Sequence, residues 1–229
     1  MHDPNRALLE RAAEWLAPLA ADLVYVGGCA AGLLITDTAA AGIRPTFDVD
    51  AIVHVASYAD YDRLATRIRT CGFTEAMDDT VLCRWRRGSL TVDVMPTDAA
   101  VLGFTNRWYA EALARATWVP LATRDIRLIA APYFLATKFE AFHDRGQADV
   151  RGSHDLEDIV AVIDGRPEVV AEVAHAPPAV REYVRQQVRT LLATRTFRDA
   201  LAGFLLPDEA SQARLPDLGV RLEQLARQR

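Results

Sequence analysis

Two short apolar runs that carry carboxylates restrict the possible folds of this chain more than any other feature: Asp48-Val49-Asp50-Ala51-Ile52-Val53-His54-Val55 and Leu90-Thr91-Val92-Asp93-Val94-Met95. Both read as strands. Side chains of an extended chain alternate between two faces, so Val49, Ala51, Val53 and Val55 share one face and Asp48 and Asp50 the other. Asp93, whose neighbours Val92 and Val94 point away from it, could face that pair from a strand about 4.8 Å distant. A carboxylate set in an apolar strand is costly unless a cation neutralises it. One hard divalent ion could touch all three, which makes Asp48, Asp50 and Asp93 candidate metal ligands. Magnesium, or manganese in its place, prefers oxygen ligands and takes its remaining coordination from substrate phosphates, so a nucleoside triphosphate is the implied co-substrate. The competing account is a sheet face that carries polar side chains towards water. A third carboxylate on a second strand weighs against it.

Around these strands the chain alternates strand-like and helical patterns. Leu8, Leu9, Ala12, Trp15, Leu16 and Leu19 have helical spacing, and Asp22-Leu23-Val24-Tyr25-Val26 reads as a buried strand. That strand runs into Gly27-Gly28 and a helical segment from Cys29 to Thr36, where a glycine turn lets helix N-terminal amides approach phosphate oxygens closely. A helix is expected from Tyr58 to Cys71, and a hairpin from Val81–Arg86 and Leu90–Met95 about Arg87-Gly88-Ser89. Strands at Thr117–Leu121 and Ile126–Ile129 precede a helix opening near Pro132, and everything beyond reads helical. The expected fold is therefore α+β, a mixed β-sheet core with flanking helices, divided into a catalytic core over residues 1–125 and a helical C-terminal lobe over 126–229.

Val26-Gly27-Gly28, then Asp48-Val49-Asp50, then Asp93 resemble, in that order, the signature of the nucleotidyltransferase superfamily that includes DNA polymerase beta. Within it, Arg44-Pro45-Thr46-Phe47-Asp48-Val49-Asp50 followed by Lys138 and Asp155-Leu156-Glu157-Asp158 is similar to the abortive-infection AbiEii and MenT-type toxin branch. The resemblance covers roughly Val24 to Ile163, and it has a longer interval than usual between Gly28 and Asp48. It implies that Asp48 and Asp50 hold the metal that activates the triphosphate. It also implies that Asp93 completes the site and activates the acceptor hydroxyl, that Gly27, Gly28 and Thr46 lie near the phosphates, and that Lys138 and Asp158 belong to the site. Lys138 and Arg145, seven residues apart on one helix, are the candidates for gripping the triphosphate.

Other residues allow two accounts each. Asp155 and Asp158 lie three apart, a like-charge clash that Lys138 or Arg145 could offset, or they serve the start of their helix. Arg84, Arg86 and Arg87 form a basic face that could guide an RNA backbone or protect an edge strand. Asn106-Arg107-Trp108-Tyr109 could stack on a base or belong to the core. Arg181, Arg185 and Arg189 make a stripe that is an RNA or partner surface or a solvated face. His54 and His154 have no companion ligands that suggest zinc.

A formal net charge of -5 argues against a surface that grips nucleic acid throughout. No apolar run reaches the roughly 20 residues that span a bilayer, and Cys29, Cys71 and Cys83 form no CxxC pair, so a cytoplasmic protein with reduced thiols is expected. Three functions remain open: transfer of a nucleotide to RNA, with the tRNA 3' end and a cognate antitoxin implied by the resemblance; the same transfer to a small molecule or protein; and a non-catalytic nucleotide-binding module.

Overall fold

The computed structural model describes residues 3–77, 79, 81–122, 124–145 and 149–227. The fold is α+β, and the chain forms two compact units. One, residues 4–30 and 45–130, holds the sheet; the other, 1–3, 31–44 and 131–229, is helical. The 125/126 boundary expected from the sequence falls inside the last strand, and residues 31–44 go with the helical unit.

In the sheet unit, α1 (Arg6–Trp15) leads to β1 (Leu23–Val26), whose four residues are all buried. Next come α2 (Gly27–Leu34), which begins in this unit, β2 (Asp48–Val53) and α3 (Tyr58–Thr70). Ser57 caps α3 by accepting from the Asp60 amide, which satisfies one of the donors a helix start leaves open. There follow β3 (Thr74–Glu75), β4 (Arg84–Arg87), β5 (Leu90–Pro96), α4 (Ala99–Leu102), α5 (Tyr109–Ala114), β6 (Thr117–Leu121) and β7 (Arg124–Leu128).

Among the described residues these strands form one mixed sheet in the order β3-β4-β5-β2-β1-β7-β6. β2 runs parallel to β5 and antiparallel to β1, while β4 and β5 form the expected hairpin. Its turn is Gly88-Ser89, with Gly88 at φ +57, the backbone conformation that two-residue hairpin turns require and glycine adopts without strain. β2 and β5 are interior strands, and Val49, Ala51, Ile52, Val92 and Val94 are fully buried. Each of the valines and the isoleucine contributes roughly 1.5–3 kcal/mol, which anchors the register that the carboxylates depend on.

The helical unit comprises α6 (Ala131–Asp144), α7 (His154–Gly165), α8 (Val169–His175), α9 (Pro178–Ala193), α10 (Arg195–Ala200), α11 (Glu209–Gln212) and α12 (Leu215–Arg227). Between α10 and α11 the chain makes a 3-10 turn, Leu201–Phe204. α6 is the central helix: every residue from Ala131 to Phe139 is buried, including Lys138. Among the described residues, no helix is long and apolar enough to cross a membrane.

Candidate active site

Strand register assembles the carboxylates. Asp50 on β2 stands directly beside Asp93 on β5, and Asp93 stands directly opposite Arg84 on β4, so three charged residues form one row across three strands. Asp48, two residues before Asp50, lies on the same face.

Asp50 also faces Val26 across β1, one residue before the turn into α2. There Gly27 has φ +67, and a Cβ at this position would lie 2.0 Å from Asp50 Oδ2. Any side chain would therefore strike the carboxylate, so the glycine is required twice over, by conformation and by space. Thr46 donates from its hydroxyl to Asp48 Oδ1 at 3.0 Å, while its own amide is held by Asn5 Oδ1 at 2.8 Å. The threonine thus fixes the orientation of Asp48.

Arg84 is the residue whose part was not read from the sequence. Its Nε and Nη2 donate to Asp93 Oδ1 and Oδ2 at 2.8 and 2.7 Å, and Nη2 also reaches Asp48 Oδ2 at 3.0 Å. Nη1 donates to Asp79 Oδ2 at 3.1 Å, which Arg86 shares at 2.8 Å. These bonds to Asp93, despite the opposing effect of burial, raise the pKa of Arg84 above its ordinary value. The bound Val81 amide and then Arg84 hold Asp79 below the usual carboxylate range. Beside them, burial and then the charges of Asp93 and Asp50 push the Cys83 thiol up to about 12.

The donor set fits a hard divalent cation in kind, being carboxylate oxygen throughout. In aim, oxygens of Asp48 and Asp93 converge on one cationic group. That group is Arg84, and with the side chains so arranged no cluster of three acidic, histidine or cysteine side chains is set to hold a metal among the described residues.

The helical unit carries a second charged cluster. Lys138, 8% exposed, places Nζ 3.1 Å from Asp155 Oδ1 and 2.6 Å from Asp158 Oδ2. Arg44 grips Asp158 with two bonds, at 3.1 and 3.2 Å, and Arg145 reaches Asp155 at 2.5 Å while remaining 70% exposed. The like-charge pair on α7 is thus offset by three cations. Ser153, rather than Asp155, caps α7.

The other candidates have structural partners. β4 lies between β3 and β5, so the edge-protection account of its arginines does not hold. Arg87 instead donates to the Cys71 carbonyl and lies 4.2 Å from the Trp15 ring centroid. Trp108 is buried and Tyr109 donates to Met95 Sδ, which places this pair against the sheet rather than on an exposed stacking platform. Arg181 donates to the Ala174 carbonyl and Arg185 pairs with Glu182. His54 bonds to Thr97, and His154 to Glu157.

Several solved structures have a similar fold. Among them are an antigenic nucleotidyltransferase-like protein from Paracoccidioides brasiliensis (TM-score 0.56, 20% identical, covering 96% of this chain and 93% of that one), JHP933 from Helicobacter pylori (0.50, 11%, 97% and 90%), and a candidate nucleotidyltransferase from H. pylori (0.50, 10%, 97% and 93%). The chain therefore has a nucleotidyltransferase-like fold. No family model matches the sequence, and no curated protein matches it.

Proposed function

We propose that the chain is a metal-dependent nucleotidyltransferase that moves a nucleoside monophosphate from a nucleoside triphosphate to an acceptor hydroxyl and releases diphosphate. The observation that carries this reading is the row of Asp50 and Asp93 on paired strands, with Asp48 on the same face and the Gly27 turn against Asp50. Asp48, Asp50 and Asp93 are the residues that would hold magnesium or manganese. A bound divalent ion supplies charge stabilisation to the phosphates, in a reaction catalysed mainly by positioning. Thr46 keeps Asp48 oriented, Gly27 leaves room for Asp50, and Gly28 continues the turn. Asp93 accepts the proton of the acceptor hydroxyl. Lys138, Arg145 and Asp158 keep the triphosphate and site roles that the AbiEii and MenT resemblance implies. That resemblance also favours RNA, the tRNA 3' end in particular, as acceptor and a cognate antitoxin as partner.

A non-catalytic nucleotide-binding module is the second reading, favoured by Arg84 on the carboxylates. Incubation of the wild type and of Asp48→Ala and Asp50→Ala variants with magnesium, each alpha-labelled triphosphate and total RNA separates the readings. Label in RNA and diphosphate release by the wild type alone support the proposal with an RNA acceptor. Diphosphate release with label in a small molecule or protein supports the transfer with a different acceptor. Triphosphate binding with neither label nor diphosphate overturns it in favour of the module.

A further inference from the structure

We infer that Arg84 is a tethered counter-ion of the carboxylate site, displaced by a divalent cation that arrives together with a triphosphate. The inference rests on the function proposed above and concerns how that site is loaded. All four oxygens of Asp48 and Asp93 accept a hydrogen bond from the protein: three from Arg84 and one, Asp48 Oδ1, from Thr46. Charge-assisted bonds of this kind, bidentate on Asp93, are the stronger class. A guanidinium does not deprotonate at accessible pH, so raising the pH does not relieve the pairing, whereas a competing cation can.

The arginine has a second anchor outside the carboxylate row. Nη1 already rests on Asp79, whose other oxygen is held by the Val81 amide, so a rotated Arg84 keeps one ion pair. Backbone pairing of β4 with β5 confines the change to the side chain. A metal ion alone must break three bonds and leave the displaced guanidinium with a single partner. A metal ion bound to a triphosphate brings phosphate oxygens on which a planar guanidinium fork binds well. The two ligands therefore bind cooperatively.

Manganese binding to the wild type and to Arg84→Gln is measured by the loss of the free-ion electron paramagnetic resonance signal, and repeated by equilibrium dialysis with a non-hydrolysable ATP analogue. The variant is expected to bind manganese alone at least about tenfold more tightly than the wild type, and to lose the wild type's tightening by the analogue. Equal affinities for manganese alone overturn the inference and leave the proposed function standing. Manganese binding to neither protein, with or without the analogue, overturns both. A measurement on the unaltered chain covers the case of a variant that does not fold. The Arg84 Nε–H resonance, from the group that donates to Asp93, is expected to hold its position with magnesium alone and to move with magnesium plus the analogue. A resonance unmoved by both additions, or moved equally by magnesium alone, overturns the inference.

Discussion

Replacing Lys138 by methionine tests whether its ammonium belongs to the pair of aspartates on α7. Methionine keeps the length and apolar stem of lysine but removes the group that touches Asp155 at 3.1 Å and Asp158 at 2.6 Å. The two carboxylate side chains are 3% and 2% exposed, so water cannot take the ammonium's place. Breaking a buried ion pair by removing one partner costs about 3–5 kcal/mol. Arg44 on Asp158 and Arg145 on Asp155 remain, which sets the expectation at the lower end, about 3 kcal/mol. For a chain of this size 1 kcal/mol corresponds to roughly 2–4 °C, so the transition that includes α6 and α7 should fall by about 6–12 °C in far-ultraviolet circular dichroism. In a double-mutant cycle, Asp158→Asn should recover part of the loss, because it makes neutral one of the two buried carboxylates that then share one cation fewer. A fall below about 2 °C with no coupling would refute the reasoning. The ammonium would then not be held by the two aspartates in solution.

Gly27→Ala should lower stability by roughly 1–2 kcal/mol through its positive φ alone, and its Cβ should also push Asp50 aside. The proposed nucleotide transfer should therefore fall far more than unfolding explains, and turnover unchanged in a folded variant would contradict the geometry. Cys29, Cys71 and Cys83 are all buried, and Cys83 is also pushed up to about 12, so none should react rapidly with a thiol reagent at pH 8 until the protein is denatured. Fast stoichiometric labelling of the native chain would count against that burial. The Ala39 amide and then Arg214 hold Asp37 below its ordinary pKa, so its contribution to stability is present above that ordinary value and is lost as pH falls through the folded one. Urea titrations from about pH 6 down to pH 2 should show a shallower loss of stability in Asp37→Asn than in the wild type; parallel curves would show that the pairing is absent in solution.

The carboxylate row was legible because a strand's alternation admits few readings, and because both runs are apolar enough to require burial on their other face. Arg84 was open to the same reasoning. A two-residue turn at Gly88-Ser89 pairs Arg87 with Leu90, and counting outward pairs Arg84 with Asp93. A turn that also includes Arg87, as the sequence pattern suggests, shifts that register by one residue. The hold of Arg44 on Asp158 is a different case, because the two lie 114 residues apart in the chain and no periodicity relates them. The short helices α4 and α5 also went unread, since a few residues give too little pattern to separate helix from turn. The buried state of Lys138 could have been inferred from the apolar residues on both sides of it, but its partners could not.

The row from Asp50 through Asp93 to Arg84 depends entirely on strand alignment. A single inserted or deleted residue within β2 or β5 would turn every later side chain of that strand to the opposite face, so that the carboxylates and the buried aliphatic side chains of that strand could no longer both keep their faces. Natural variation in this protein should therefore gather in the turns, where changes of length are absorbed, while β2 and β5 keep their length even as their apolar residues exchange.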